Sequence, residues 1–246
     1  MYWTTLRIRK MEIPEFYVPL LLACTTGCRI SELIALRFCD IDFLRKEIHI
    51  EEQIGRPIDI TDIPQGEATK QRLRTKSTAG KRIIPIPEFT MEELAAYRCR
   101  IASEKDLPDT EIWDTYIWNR SDGSSHGRQD YQKPFKRLKE ELGIPEDFHW
   151  HDLRHSYATI MENNQVNLKE MALVLGHTSG DFTFQVYVDK SIPVFPGVKK
   201  YFNFLEDIVK QTEADTPGKH PSGNHAVRMN PGYATLLTNL LQRGQG

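Results

Sequence analysis

His151-Asp152-Leu153-Arg154-His155, followed by Leu175-Gly176-His177 and then Tyr187, is the stretch on which the reading of this chain turns. A helix over 151–163 puts His151, Arg154 and His155 on one face, because residues three and four apart are neighbours on a helix surface. Arginine is a permanent cation whose planar fork of donors matches two phosphate oxygens. Histidine gives or takes a proton near neutral pH, and a tyrosine beside such groups is a nucleophile toward phosphorus. The combination reads as phosphoryl transfer without a metal. Taken alone, two histidines on a helix are as easily packed core or a metal pair. Tyr187, near Phe182 and Phe184, is as easily aromatic packing.

Bulk properties narrow the setting. The chain has 246 residues, 39% hydrophobic and 27% charged, enough apolar material for a sizeable core in water. No apolar run approaches the roughly 20 residues that cross a bilayer. The N-terminus lacks the small-residue cleavage site of a signal peptide. Cys24, Cys28, Cys39 and Cys99 do not make a secreted disulfide framework, so they are expected as reduced, mostly buried thiols in a cytoplasmic protein. Cys24 and Cys28 lie four apart, but without a second pair nearby they read as small buried residues on a helix, not a zinc site. No metal and no other cofactor is expected. The net charge of −2 argues against a strong overall basic excess, so local distribution matters more. Between Thr69 and Arg82 lie Lys70, Arg72, Arg74, Lys76, Lys81 and Arg82, with no acid among them. That run is either a solvated charged hairpin or a face for polyanions.

Around these motifs the pattern is mainly helical. Pro14 opens a helix over 14–26 that Gly27 ends, and residues 31–36 read as a second, short one. The alternation of 47–51 and the β-rich run 82–86 predict a small antiparallel sheet with basic residues at its turn. Helices are expected over 88–103, 130–142, 151–163, 168–175, 181–188 and 198–210, with a short strand over 116–118. The fold class is therefore α+β, a mainly helical domain with a small antiparallel sheet or hairpin. It is expected to span 1–211 and to be followed by a flexible tail, 212–246, where the composition turns to Gly, Pro, His and Asn.

Upstream, Thr26-Gly27-Cys28-Arg29-Ile30-Ser31-Glu32-Leu33 presents an arginine at a helix start, where free backbone amides favour anions. With this segment in place, the order of motifs resembles the catalytic domain of the tyrosine recombinase, or phage integrase, family. The resemblance covers roughly residues 12–190. It rests on an Arg in a T-G-x-R-x-x-E setting, a hairpin Lys, a His-x-x-Arg box, a Leu-Gly-His segment and a later Tyr. The hairpin wording Thr75-Lys76-Ser77-Thr78-Ala79-Gly80-Lys81-Arg82 is similar to that of integrases from conjugative and other mobile elements.

The resemblance implies catalytic roles for Arg29, Lys76, His151, Arg154, His177 and Tyr187. The arginines and His177 would hold the nonbridging phosphate oxygens, and His151 would take the proton of the nucleophile Tyr187. Lys76 would protonate the leaving 5′-oxygen, and a 3′-phosphotyrosyl link would form without cofactor or metal. Lys70, Arg72, Arg74, Lys81 and Arg82 would contact DNA. Glu32 and Asp152 are expected to orient neighbouring cations, and His155 to support the fold. The implied partner is a double-stranded recombination site. A homotetramer is expected on paired sites, with weak or no association without DNA. Family members usually carry an N-terminal clamp domain, and the start of the catalytic pattern close to Met1 leads to the expectation that it is absent here. Two other readings stay open on sequence: an idle DNA-binding fragment, and a type IB topoisomerase-like activity.

Overall fold

The computed structural model describes residues 14–54, 72–74, 81–127 and 129–176, then 196–198, 202, 203 and 205. Helix α1, Pro14–Thr26, starts on a proline, whose missing amide costs nothing in a first turn. Val18, Leu20, Leu21, Leu22, Ala23 and Cys24 are all buried, so α1 runs through the core rather than along its edge. Gly27 ends it in the left-handed region, at φ +62, its amide donating to Ala23 O at 3.2 Å. Helix α2, Ile30–Leu33, is shorter than the 31–36 expected. The Asp40 carboxylate caps Arg37 N and starts a separate 3-10 turn, Phe38–Asp40.

Strands β1 (Ile41–Asp42), β2 (Glu47–Ile50) and β5 (Arg82–Pro85) form an antiparallel sheet in the order β1-β2-β5. Strands β3 (Glu52–Ile54) and β4 (Arg72–Arg74) form a second antiparallel pair, so the basic segment does return through a small β structure. The register sets Ile48 opposite Ile84 and Ile50 opposite Arg82. Because strand side chains alternate, Ile48, Ile50, Arg82 and Ile84 all go inward.

The remaining helices are α3 (Glu88–Glu104), α4 (Asp109–Ile112), α5 (Gln132–Leu142), α6 (Trp150–Asn163) and α7 (Leu168–Leu175). Helices α3 and α6 pack on α1, and α7 lies against α6 and β5. The expected α+β class, helical with a small antiparallel sheet, is what the chain adopts.

The expected strand at 116–118 is not one. Tyr116 makes a single bridge to Arg37, while Ile117 N donates to Leu36 O at 2.9 Å, so the segment follows the α2 exit instead of joining a sheet. The expected helix 181–188 and the tail lie outside the described residues. Of the 198–210 helix, the described residues 198, 202, 203 and 205 are helical, and Val198, Phe202 and Leu205 are buried. Among the described residues no helix is long and apolar enough to cross a membrane.

An aromatic wall fixes the start of α6. Trp150 stacks on Trp118 at 5.9 Å and meets Tyr131 at 4.8 Å and Phe135 at 5.3 Å. Beneath it, the buried Lys139 ammonium donates to Glu146 O at 2.6 Å and Phe148 O at 2.9 Å, which pins the turn before the helix. His151 and Arg154 are therefore carried on a rigid helix, not on a loop.

Candidate active site

The sequence separates Arg29 from Gly176 by 147 residues, yet the fold brings them into contact. Helix α7 ends at Gly176, in the left-handed region at φ +64, and the last carbonyls of a helix have no partner within it. Three guanidiniums supply the donors. Arg82 Nε donates to Val174 O at 2.6 Å, Arg154 Nη2 to Leu175 O, and Arg29 Nη2 to Gly176 O at 3.0 Å. Cations at this end also face the negative pole of the helix dipole. Arg154 Nη1 further donates to Gly27 O at 2.8 Å, tying α6 to the turn before Arg29.

One carboxylate sits among these cations. Glu32, buried on α2, accepts both terminal nitrogens of Arg82 at 2.9 and 2.8 Å. It also accepts Arg29 Nη1 and the Arg29 backbone amide, each at 2.9 Å. Burial works to raise the Glu32 carboxyl, but the bonds and charges of Arg82 and Arg29 outweigh it and hold the group below the usual carboxylate range. The same pairing keeps Arg82 above its ordinary value despite its burial. Arg154 differs. Its burial, with the Arg29 charge beside it, pulls the guanidinium down to about 10, still charged at neutral pH. Three cations facing one described anion leave an excess of positive charge that a phosphate would neutralise.

His151 lies one turn before Arg154 on α6 and is exposed, its ring edge-on to that of His155 at 4.5 Å. Burial, then His155 and Arg154, lower its proton affinity, so it is neutral and able to accept a proton at pH 7. Neither histidine is a core residue, and no group of His, Cys, Asp and Glu that could hold a metal occurs among the described residues.

Two expectations need correction. Arg82, expected on a DNA-binding face, has only 4% of its side chain exposed and is committed to Glu32 and Val174. Strand alternation already put it on the same face as Ile84 and Ile86, a signal hidden by the basic run around it. Asp152, expected to orient a cation, instead accepts from His149 N at 2.6 Å and caps α6. The thiols also divide: Cys24 and Cys28 are buried, whereas Cys39 and Cys99 are exposed.

Lys81 is exposed and sits 3.5 Å from Glu51. Arg72 and Arg74 lie on β4. Lys70, Lys76, His177 and Tyr187 lie outside the described residues. Tyr157, a second tyrosine near the cluster, is fully buried below Gly27, and burial pushes its phenol far up, which removes it as a nucleophile. Of the sequence-marked site, the fold thus joins Arg29, Arg154 and His151 around the end of α7, directly before His177.

The fold is thus a mainly helical domain with three arginines gathered at the end of α7 and His151 one turn before Arg154 on α6. Comparison with known proteins gives the family: residues 5–192 match the phage integrase family, and the chain belongs to that family. A XerC-like tyrosine recombinase of Caldanaerobacter subterraneus subsp. tengcongensis is 29% identical over 173 residues, covering 68% of this chain and 44% of that protein. Tyrosine recombinase XerC of Roseiflexus sp. is 30% identical over 170 residues, with 68% and 44% covered. The transposase of transposon Tn916 from Enterococcus faecalis is 26% identical over 178 residues, with 70% and 41% covered. The chain thus spans less than half the length of these relatives. Among solved structures, the Tn1549 transposon integrase in complex with circular intermediate DNA shares the fold. Its TM-score is 0.56 at 20% identity, with 72% of this chain and 56% of that one covered. XerA recombinase aligns with a TM-score of 0.52 at 17% identity, covering 72% and 54%.

Proposed function

We propose that this chain carries the catalytic domain of a tyrosine-type site-specific DNA recombinase, an integrase of a mobile element. It breaks and rejoins double-stranded DNA through a 3′-phosphotyrosyl intermediate. The observation that carries this reading is the pair Arg29 and Arg154, which meet at the end of α7 with their charge only partly matched by Glu32.

Charge builds on the nonbridging oxygens when a phosphodiester is attacked, and preorganised donors aimed at that charge are the main catalytic lever. Arg29 and Arg154 supply them, with His177 adding a further donor. Tyr187 Oη forms the bond to phosphorus while His151 takes the phenolic proton. The bond to the 5′-oxygen breaks, and Lys76 protonates that oxygen. Attack by another strand's 5′-hydroxyl runs the sequence backward, so the phosphodiester energy is kept in the covalent link. Lys70, Arg72, Arg74 and Lys81 follow the backbone, and Lys81, exposed beside Glu51, fits that role. Residues 1–211 form the catalytic unit and 212–246 a tail, and the chain works as a tetramer on paired DNA sites.

A nicked suicide DNA duplex carrying the element's end sequence tests this. Wild-type protein is expected to give a covalent protein–DNA adduct on denaturing gels, and Tyr187→Phe none. An adduct formed by Tyr187→Phe, or none by wild type, overturns the assignment. Relaxation of a supercoiled plasmid lacking paired sites would point to topoisomerase-like action instead.

A further inference from the structure

Arg82 is buried, like Arg154, and its hold on Glu32 decides what Arg29 is free to do. The side chain of Glu32 is 2% exposed and that of Arg82 4%, whereas that of Arg29 is 36% exposed. Arg82 grips both carboxylate oxygens, while the Arg29 side chain gives Glu32 one bond, from Nη1, and Gly176 O another, from Nη2. A guanidinium has five N–H donors. Those two bonds leave donors of Arg29 on the exposed side.

We propose that Arg82 is a positioning residue: it takes up the charge of Glu32 so that Arg29 stays available to a phosphate. A buried carboxylate that loses one cation draws the remaining one into a tighter pair, because a lone buried charge is costly. Without Arg82, Glu32 turns to Arg29, its other described cationic partner. Arg29 is then pulled into a bidentate pair, off Gly176 O and away from the exposed side. Glu32 thus aims Arg29 only while Arg82 balances it. The backbone of Arg82 is fixed opposite Ile50 on β2, so this balance comes from the sheet and not from either helix that carries Arg29 or Arg154.

The inference rests on the function proposed above only for its activity arm, and orthovanadate, a phosphate mimic, tests it without DNA chemistry. Binding of orthovanadate by calorimetry is expected to weaken by about tenfold or more in Arg82→Met, the scale of one charge-assisted hydrogen bond. Glu32→Gln added to Arg82→Met removes the unbalanced charge and is expected to restore affinity to within about threefold of wild type. A purely architectural role for Arg82 predicts no such rescue, since the double variant lacks the Arg82–Val174 bond as well. Arg82→Lys keeps the charge that balances Glu32 but gives up the bidentate grip, so it is expected to lose clearly less affinity than Arg82→Met, which gives a reading even if the Met variant unfolds. Unchanged binding in Arg82→Met, no rescue by Glu32→Gln, or a loss in Arg82→Lys as large as that in Arg82→Met overturns the proposal. On suicide DNA, the same variants are expected to change the adduct rate in the same order with DNA affinity little altered. Absence of any wild-type adduct counts against the recombinase reading and leaves the vanadate result to decide the role of Arg82.

Discussion

Gly27→Ala measures how tightly the turn before Arg29 is built. The backbone there is left-handed, φ +62, which costs an L-residue about 1–2 kcal/mol that glycine does not incur. A Cβ at this position would stand 2.6 Å from Tyr157 Cδ1 and 3.2 Å from Leu175 Cδ2. Tyr157 is fully buried, so its ring cannot swing into solvent, and overpacking of this kind costs about 1–3 kcal/mol. The sum is about 2–5 kcal/mol, a fall in melting temperature of roughly 4–20 °C for a chain of this size. Gly143→Ala is the matched control. It has nearly the same backbone angle, φ +64, but nothing within 4 Å of the added carbon, so it carries the backbone part alone, about 1–2 kcal/mol. Urea unfolding of both variants, followed by tryptophan fluorescence, separates the two terms. Gly27 O also accepts from Arg154, so any shift of the turn reaches the site. Equal losses in the two variants would refute the argument, because the Tyr157 contact would then carry no cost.

Two further outcomes follow from titration and exposure. His151 is a base held below its ordinary value, so the unfolded chain takes up its proton first as pH falls. Its contribution to stability is complete above about pH 6.5 and is lost as pH drops through the folded value. Wild type should lose more unfolding free energy than His151→Gln between about pH 7 and 5, and identical slopes would contradict the assignment. For the thiols, burial pushes Cys28 up to about 11 and Cys24 higher still. Ellman's reagent should therefore label Cys39 and Cys99 in the native protein and reach Cys24 and Cys28 only on unfolding. A Cys39→Ser/Cys99→Ser variant that reacts at the wild-type rate would show the burial to be wrong.

The helices were legible wherever periodicity and end signals agreed. Pro14 and Gly27 bracket α1, and Gly143 closes α5. Strands β1 and β3 are only two and three residues long, too short to show an alternation. Tyr116, Ile117 and Trp118 have strand-like composition, but tertiary packing gave them a single bridge rather than a ladder. In the candidate site, Arg29 and Arg154 stood out because each sits in a motif with its own spacing, but their meeting at the end of α7 is a tertiary contact. The inward turn of Arg82 was written in the alternation with Ile84 and Ile86, yet charge composition spoke louder than register. That Asp152 caps a helix whose N-cap is His149 was harder to see, since histidine is not a usual first-turn signal.

The three carbonyls at the end of α7 also set when the site can exist during synthesis. Their donors lie 147 residues upstream for Arg29, 92 for Arg82 and 21 for Arg154. A chain still emerging from the ribosome has Arg29, Glu32 and Arg82 but lacks the acceptors that spread the guanidiniums apart. Assembly is therefore completed late: an N-terminal fragment ending before α7 has the Glu32 pairs but lacks the three carbonyls that Arg29, Arg82 and Arg154 reach. Such long-range closure is slow to form, and it ties the full arginine cluster to completion of the fold.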